Sequence, residues 1–216
     1  MAGTNCNLNH PTDLTFDNDG RVVVAAWHNH KIRRLDPTSG MEEVLSGAGP
    51  GFTGDGLPAL GALLNQPKSV AVSRTTGAIY LADTKNFRVR RIDSDGVITT
   101  VVGSGTAGFS GDGGPPASAQ LTFQMASDNP EPGGALAIDD QDRLYIADTE
   151  NHAIRMIDVK RGTIELVAGT GTHGDGPEGN PLQCQLSRPH GIFVDADGSI
   201  YIGDSEAQRI RVIEAK

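Results

Sequence analysis

The sequence predicts an all-β fold made of four copies of one small antiparallel sheet, and three observations support this fold class. One segment recurs along the chain, as VVVAAWHNHKIRRLD at 22–36, IYLADTKNFRVRRID at 79–93, LYIADTENHAIRMID at 144–158 and IYIGDSEAQRIRVI at 200–213. Within each copy, apolar and polar residues alternate with the period of two that half-buried strands require. Many of the 28 glycines and 12 prolines lie between these segments, where tight turns are expected.

Each copy is predicted to contain four short strands. In the second copy they cover Ser69–Ser73, Ala78–Ala82, Arg88–Asp93 and Ile98–Gly103, and turn signals such as Asp95-Gly96 separate them. A four-stranded antiparallel sheet that repeats about every 60 residues is typical of a β-propeller blade.

The four blades are expected to form a single domain over residues 1–216. The predicted units span residues 9–56, 66–113, 132–176 and 188–216, and the last unit stops after its third strand. A blade without its outer strand exposes an edge that invites pairing. We therefore expect part of a larger ring or a homo-oligomer that completes the ring, with a small closed ring of four blades as the remaining alternative.

The motifs P-x-x-V-A-V, I-Y-L-A-D-T-x-N and V-R-x-I-D, followed by G-V-I-T-T-V-V-G, resemble NHL repeats over nearly the whole chain. The linkers GFTGDGLPA at 51–59 and GFSGDGGPPA at 108–117 resemble those of bacterial secreted, multidomain members of that family. The resemblance implies a propeller that usually closes with six blades and serves mostly as a binding platform. It favours an extracellular or periplasmic location, although the segment that begins at Met1 lacks the pattern of a signal peptide.

Charge and composition exclude several classes of function. The 216 residues include 18 Lys and Arg against 27 Asp and Glu, for a net charge of −9. No basic field is therefore expected to attract nucleic acid, and no apolar run approaches the roughly 20 residues needed for membrane insertion. Walker, Gly-x-Ser-x-Gly and His-Glu-x-x-His motifs do not occur in the sequence, which disfavours the common nucleotide-binding, hydrolase and metalloprotease classes.

Polar residues that recur in blade after blade are predicted to be structural. Short Asp and Asn side chains at the turn after the second strand can bond to nearby backbone groups; these are Asp83, Asn86, Asp148, Asn151 and Asp204. The repeated arginines Arg90, Arg155 and Arg211 are predicted to pair with aspartates of a neighbouring blade. By strand parity the turns and the linkers meet at one end, and this end is predicted to be an acidic, loop-bearing face.

Ligand-binding residues are sought where the repeat is broken. The first copy replaces Asp-Thr by Ala26-Trp27 and continues with His28 and His30, which together predict a ligand platform of one indole and two imidazoles. The alternative is structural: His30 occupies the position of His152, and Trp27 closes the turn. His152 and His173 on the same predicted face complete these ligand-binding candidates.

Metal binding has weak support in the sequence. His190 stands at the start of the innermost strand of the last copy, where the positions of Thr12 and Lys68 carry no histidine. Metal-dependent lyases with six-bladed propellers resemble this family and use histidines at such positions, although a catalytic zinc normally needs three protein ligands. The central linker carboxylates Asp55, Asp112 and Asp175 are weak calcium candidates, because each linker supplies one carboxylate. No cofactor is predicted.

Two further features interrupt the repeat. The insertion Phe123–Gly134 is expected to be a surface loop suited to partner recognition. Cys6 and Cys184 occupy equivalent positions, where Ala62 and Ala119 stand in the other linkers, so we expect two free thiols in small apolar pockets.

The sequence thus favours a non-catalytic scaffold that presents its acidic loop face to a protein, peptide or carbohydrate partner. Two alternatives remain at this point. One is a metal-dependent lyase or hydrolase that uses channel residues such as His190, and the other is an architectural spacer of a multidomain secreted protein.

Overall fold

Two compact units make up the structure, a computed structural model that describes residues 7–124 and 133–215. Unit 1 is Met1–Val101 and unit 2 is Val102–Lys216. Each unit contains two antiparallel sheets of the propeller-blade type, and short 3-10 turns and linkers connect the strands. No helix among the described residues is long and apolar enough to cross a membrane.

Unit 1 holds blades 1 and 2, whose strands follow one another in simple up-and-down order. Blade 1 consists of β1 (Pro11–Phe16), β2 (Val22–Ala26), β3 (Lys31–Leu35) and β4 (Glu42–Ser46). The linker to blade 2 contains the short strand β5 (Leu57–Pro58), and blade 2 consists of β6 (Pro67–Val72), β7 (Ile79–Asp83), β8 (Arg88–Ile92) and β9 (Val97–Val102).

Unit 2 repeats this arrangement with blades 3 and 4. Blade 3 consists of β10 (Leu136–Ile138), β11 (Arg143–Asp148), β12 (Ala153–Asp158) and β13 (Thr163–Ala168). Blade 4 consists of β14 (Pro189–Val194), β15 (Ile200–Asp204) and β16 (Arg209–Ile213), and the described residues contain no fourth strand on this sheet.

The predicted all-β class and the four propeller-type blades are confirmed, including the three-stranded last blade. The strands predicted for the second copy agree with β6 to β9 within one or two residues at each end. The prediction missed β5, which pairs antiparallel with the outer strand β9 through Leu57 and Ile98. Its two residues show no alternation, so pairing with β9 produces this strand. The single-domain organisation stays a prediction.

Apolar faces of successive blades meet inside each unit. In unit 1, Val23 and Ile32 of blade 1 form one buried cluster with blade 2 residues that include Leu81 and Ile98. In unit 2, Tyr145 and Ile154 of blade 3 form the equivalent cluster with Ile200 and Ile202 of blade 4. A blade cannot cover both of its faces alone, so burial between neighbours is the main stabilising contribution.

Glycines that end an outer strand lie very close to the turn of their own blade. Gly169 follows β13 with a φ of +94°, and a Cβ placed there would lie 2.2 Å from the carbonyl oxygen of His152. Gly47, after β4, faces the carbonyl of His30 in the same way. The outer strand therefore reaches the turn only because these residues lack a side chain.

Replacing Gly169 by alanine is expected to destabilise unit 2 more than replacing Gly162. Both residues have positive φ, but a Cβ on Gly162 would meet no described atom within 4 Å. Backbone strain alone costs about 1–2 kcal/mol, and the clash at Gly169 adds about 1–3 kcal/mol. Urea unfolding, monitored by hydrogen exchange of the β11–β13 amides, measures the stability of unit 2 in both variants. Equal losses of stability would contradict the close approach at Gly169.

Candidate functional site

A buried aspartate at the end of β7 organises the turn of blade 2. Asp83 accepts a hydrogen bond from the backbone N–H of Asn65 at 2.6 Å, which ties the turn to the preceding linker. Asn86 donates through its amide to the second oxygen of Asp83 at 2.8 Å and to the carbonyl of Gly51 at 2.7 Å. Strand, turn and linker are thus joined by two short side chains.

Unit 2 contains the same arrangement in blade 3, and in blade 4 it keeps the buried aspartate and its backbone bond but has Ala207 in place of the asparagine. Asp148 accepts from the N–H of Thr122 at 2.8 Å and from the Asn151 amide at 2.8 Å. Asp204 accepts from the N–H of Ser187 at 2.6 Å. All three turn aspartates are fully buried. They therefore contribute no charge to the surface, and the acidic face expected from the sequence depends on the linker aspartates and on nearby glutamates.

The repeated arginines join these turn aspartates to the linkers. Arg155 is buried and lies 3.3 Å from Asp148 and 2.8 Å from Asp112. Arg211 lies 2.8 Å from Asp204 and 2.6 Å from Asp175.

Arg90 contacts Asp55 at 2.8 Å and adjoins Asp83 at 3.7 Å, and it also donates to the carbonyls of Leu63 and Thr53. Besides the turn aspartate of its own blade, each arginine pairs with a linker aspartate that falls in the preceding predicted unit, as the expectation of pairs with a neighbouring blade states. We call this set of turn aspartate, arginine and linker aspartate the clasp of a blade.

Burial and hydrogen-bond donors shift the pKa of the clasp aspartates in opposite directions. Desolvation raises the pKa of Asp83 to about 6 and that of Asp148 to about 7, although the amide, backbone and arginine donors act in the opposite direction. Burial opposes the charge of Arg211, but the carboxylates of Asp204 and Asp175 outweigh it and raise the pKa of that guanidinium, so it stays charged. The linker aspartates offered as calcium ligands are thus already engaged by arginines.

Replacing Arg155 by methionine is expected to lower the free energy of unfolding of unit 2 by about 3 kcal/mol or more, because Asp148 then stays buried without its cation. Arg161→Met is the matched control: Arg161 pairs with Asp158 but its side chain is 81% exposed, so its loss costs at most about 0.5 kcal/mol. Denaturant titration compares the two. Similar stabilities would show that the clasp does not hold unit 2 together.

Blade 1 lacks the clasp, and aromatic rings occupy its turn instead. Trp27 is only 5% exposed, and the ring of His28 stacks on it at 4.0 Å between centroids. The prediction that Trp27 offers a ligand platform is therefore wrong, because its ring is buried and His28 lies against it. The ring edges exposed at this turn belong to histidines. This agrees with the structural alternative, in which Trp27 closes the turn.

His10 joins this cluster and was missed by the sequence analysis. Its ring lies 4.5 Å from that of His28, edge to face, and 6.2 Å from that of Trp27. The Asn29 side chain accepts from the N–H of Asn9, and the His10 carbonyl accepts from the N–H of Trp27, which fixes the segment. The sequence did contain a signal for His10, because this histidine precedes Pro11 at a repeat position that Gln66 and Arg188 occupy in blades 2 and 4.

His30 and His152 connect successive blades rather than facing a ligand. Nδ1 of His30 accepts from the N–H of Gln66 at 3.1 Å, and Nδ1 of His152 accepts from the N–H of Arg188 at 3.2 Å. Burial, followed by a neighbouring histidine, lowers the pKa of both rings. Both therefore stay neutral near pH 7, as an accepting Nδ1 requires.

Acidification is expected to destabilise unit 2 through His152. Because its folded-state pKa lies below the ordinary value of about 6.5, its contribution is present above that pH and is lost as the pH falls through the lowered pKa. His152→Gln keeps an acceptor without a titrating proton, and Gln208 already adopts this backbone conformation at φ 54°. Melting temperatures from pH 7.5 to 5 should fall more steeply for the wild type; parallel curves would exclude this role.

A second polar cluster surrounds His173 in unit 2. Its Nε2 lies 3.0 Å from Glu206 and 3.0 Å from the Ser187 hydroxyl, and its ring lies 5.1 Å from that of His152. Arg188 bridges Glu206 at 2.8 Å and Glu150 at 2.7 Å. The same nitrogen of His173 faces both the hydroxyl and the carboxylate, so these residues do not form a nucleophile–base–acid relay.

The remaining predicted positions lie apart from these clusters. His190 is partly buried in β14. Among the described residues, no group of three or more His, Cys, Asp or Glu side chains is arranged to hold a metal ion. Cys184 is buried and forms no disulfide with a described residue, whereas Cys6 and residues 125–132 of the insertion lie outside the described ranges. Phe123 at the start of the insertion is fully buried.

Comparison with known families agrees with this architecture. The model described as the Teneurin NHL domain matches residues 48–120, and the NHL repeat model matches residues 186–213. The chain is a member of the NHL-repeat family. The NHL repeat-containing protein 2 of Gallus gallus is 26% identical over 95% of this NHL chain, which spans 30% of that protein.

Two other similar proteins are also longer than this chain. The Protein SUPPRESSOR OF QUENCHING 1, chloroplastic, of Arabidopsis thaliana is 26% identical over 98% of the chain, which spans 20% of its length. A solved protein of unknown function from Bacteroides thetaiotaomicron has a TM-score of 0.73 and 18% identity, with 94% of this chain covering 46% of that one. That likeness shows the fold alone.

Proposed function

We propose that this NHL protein is a non-catalytic binding platform whose turn-and-linker ends contact a protein, peptide or carbohydrate partner. One observation carries the proposal: the polar side chains that repeat from blade to blade are engaged inside the clasps, whereas polar side chains that break the repeat lie at the surface. His10 and His28 do so in unit 1, and His173 does so in unit 2, beside the exposed Glu206. Loops held by a rigid sheet are usual places for recognition.

The chemistry of these ends favours a neutral or cationic partner. Asp55, Asp112 and Asp175 are each between one third and one half exposed, so part of each carboxylate faces solvent beside its arginine. Glu206 is 45% exposed. Imidazole and carboxylate groups accept and donate hydrogen bonds to hydroxyl, amide and ammonium groups. The net charge of −9 makes nucleic acid an unfavourable partner for such a surface.

The ring cluster of blade 1 suits a partner that presents a flat or hydroxyl-rich group. His28 is backed by Trp27, so its orientation is fixed before binding, which lowers the entropic cost of association. Burial and the neighbouring His10 lower the pKa of His28, so a neutral imidazole is presented at pH 7. Such a ring accepts a hydrogen bond at one nitrogen and donates at the other.

Removing the ring edges is expected to weaken partner binding without unfolding the protein. The purified chain is screened on glycan and peptide arrays, and each hit is titrated by calorimetry against His28→Ala, His173→Ala and Lys160→Ala. At least one histidine variant should bind about fivefold more weakly or worse, as expected when a central contact is lost.

Lys160→Ala is the control, because Lys160 lies in the exposed hairpin between β12 and β13, away from the turns that follow second strands. Circular dichroism establishes that each variant is folded. If every hit binds both histidine variants as tightly as the wild type, or if no glycan or peptide binds, the proposed surface is wrong.

A further inference from the structure

In unit 2, one arginine lies between the turns of two successive blades and pairs with an acid from each. Arg188, the second residue from the end of the linker into β14, contacts Glu150 of the blade 3 turn at 2.7 Å and Glu206 of the blade 4 turn at 2.8 Å. Its side chain is only 8% exposed, so the two carboxylates balance a cation largely withdrawn from water. We call the places of these three residues the bridging positions.

The central bridging position of unit 1 is Gln66, and its backbone matches that of Arg188. The φ angles are 54° and 52°. The N–H of Gln66 donates to Nδ1 of His30 at 3.1 Å. The N–H of Arg188 makes the same bond to His152 at 3.2 Å.

The two outer bridging positions of unit 1 are also placed as in unit 2. His28 and Lys85 are the middle residues of their 3-10 turns, as Glu150 is in blade 3. The N–H groups of Lys85 and Glu206 both donate to the carbonyl two residues before the inner strand of their own blade, at 3.1 Å and 3.0 Å. The side chains at the three bridging positions of unit 1 are therefore brought together as they are in unit 2.

The charges at these positions differ between the units. In unit 1, His28 and Lys85 replace the two glutamates, and the uncharged Gln66 replaces the arginine. Burial, followed by the charges of His10 and Lys85, lowers the pKa of His28, which places the lysine near this ring. Lys85 forms no ion pair with a described residue. Unit 1 thus has a cation at the bridging positions without the opposite charge that balances Arg188 in unit 2.

Two buried polar atoms at this place also lack a partner. Oε1 of Gln66 and Nε1 of Trp27 are buried and make no hydrogen bond with a described residue. In blade 2, by contrast, the residue at the position of Trp27 is Thr84, whose hydroxyl donates to the Gln66 carbonyl at 2.5 Å. A buried acceptor without a donor is costly, so the Gln66 amide gains a bond when a ligand hydroxyl reaches it.

These residues favour a single carboxylate with a hydroxyl group beside it. The one positive charge of Lys85 suits a monoanion better than a phosphate dianion, because the whole chain already carries −9. Asp55, the linker aspartate of unit 1, is paired with Arg90 and so does not neutralise Lys85. The lysine ammonium and an N–H of His28 can donate to the carboxylate, and the hydroxyl can donate to Gln66. A uronic acid residue of a glycan carries both groups.

We propose that His28, Gln66 and Lys85 bind the carboxylate and a neighbouring hydroxyl of a uronic acid residue in an acidic glycan. The proposal rests on the function proposed above, because it assigns a class of sugar to the turn end of unit 1. The carboxylate lies between His28 and Lys85, at the place that the Arg188 guanidinium takes in unit 2. The hydroxyl donates to Oε1 of Gln66.

The probe is methyl glucuronide, and methyl glucoside is the matched neutral sugar, in which a hydroxymethyl group replaces the carboxylate. Heteronuclear NMR of the whole chain, at pH 7.5 and constant ionic strength, follows the amide signals of residues 28, 66 and 85. We expect saturable shifts with the glucuronide and at least about tenfold weaker binding of the glucoside, because the charge-assisted bonds are lost.

Two variants test the residues. Lys85→Met should weaken glucuronide binding at least about fivefold, whereas Lys160→Met, at a lysine that is 69% exposed in unit 2, should leave it unchanged. The triple variant His28→Glu, Gln66→Arg and Lys85→Glu copies the charges of unit 2 onto unit 1. It is expected to fold, because the same backbone positions carry this set in unit 2, and to lose glucuronide binding. Circular dichroism checks its folding, and Lys85→Met tests the proposal independently of it.

No saturation up to about 50 mM glucuronide, equal binding of the glucoside, or unchanged binding by Lys85→Met would overturn the proposal. Equal binding of acetate would also overturn it, because the hydroxyl would then contribute nothing. Tighter binding of N-acetylalanine would assign the site to a peptide carboxyl terminus instead. If array hits are weakened by the histidine variants but the glucuronide does not bind, the binding platform stands and only the acidic sugar is refuted.

Discussion

The clasp around each buried turn aspartate is the interaction on which the described blades 2, 3 and 4 depend. A carboxylate taken out of water is costly, so it persists only where backbone and side-chain donors surround it. Asp148 collects donors from the linker, from its own turn and from Arg155. One buried group therefore determines where three segments meet, and the linker follows the same route in each case.

Blade 1 shows what happens when the clasp is absent. Ala26 replaces the aspartate, and Arg33 pairs with Glu42 of the outer strand instead of with a turn residue. The turn is then held by the stacked rings of Trp27 and His28 and by the bond from Asn9 to Asn29. Side chains released from the repeated structural role are those available for recognition, which is why the proposed site is centred there.

The proposed binding surface depends on the rigidity of the blades that carry it. The turn-and-linker ends present side chains on a rigid support, so selectivity there depends on the geometry of imidazole and carboxylate groups.

The sequence by itself determined the fold class, the four blades and most strand bounds, because alternation with period two is a local property. The strand Arg88–Ile92, predicted as Arg88–Asp93, shows how closely a periodic segment can be placed. It also marked His28 as a departure from the repeat and His173 as a candidate on the same predicted face.

Only the tertiary structure decided that Trp27 is buried, that Arg90 reaches back to Asp55, that His10 completes the ring cluster and that β5 forms at all. The physical reason is that these contacts join segments far apart in the chain, and the packing of linkers against sheets brings them together. No local pattern records how far a side chain reaches or which face will be covered.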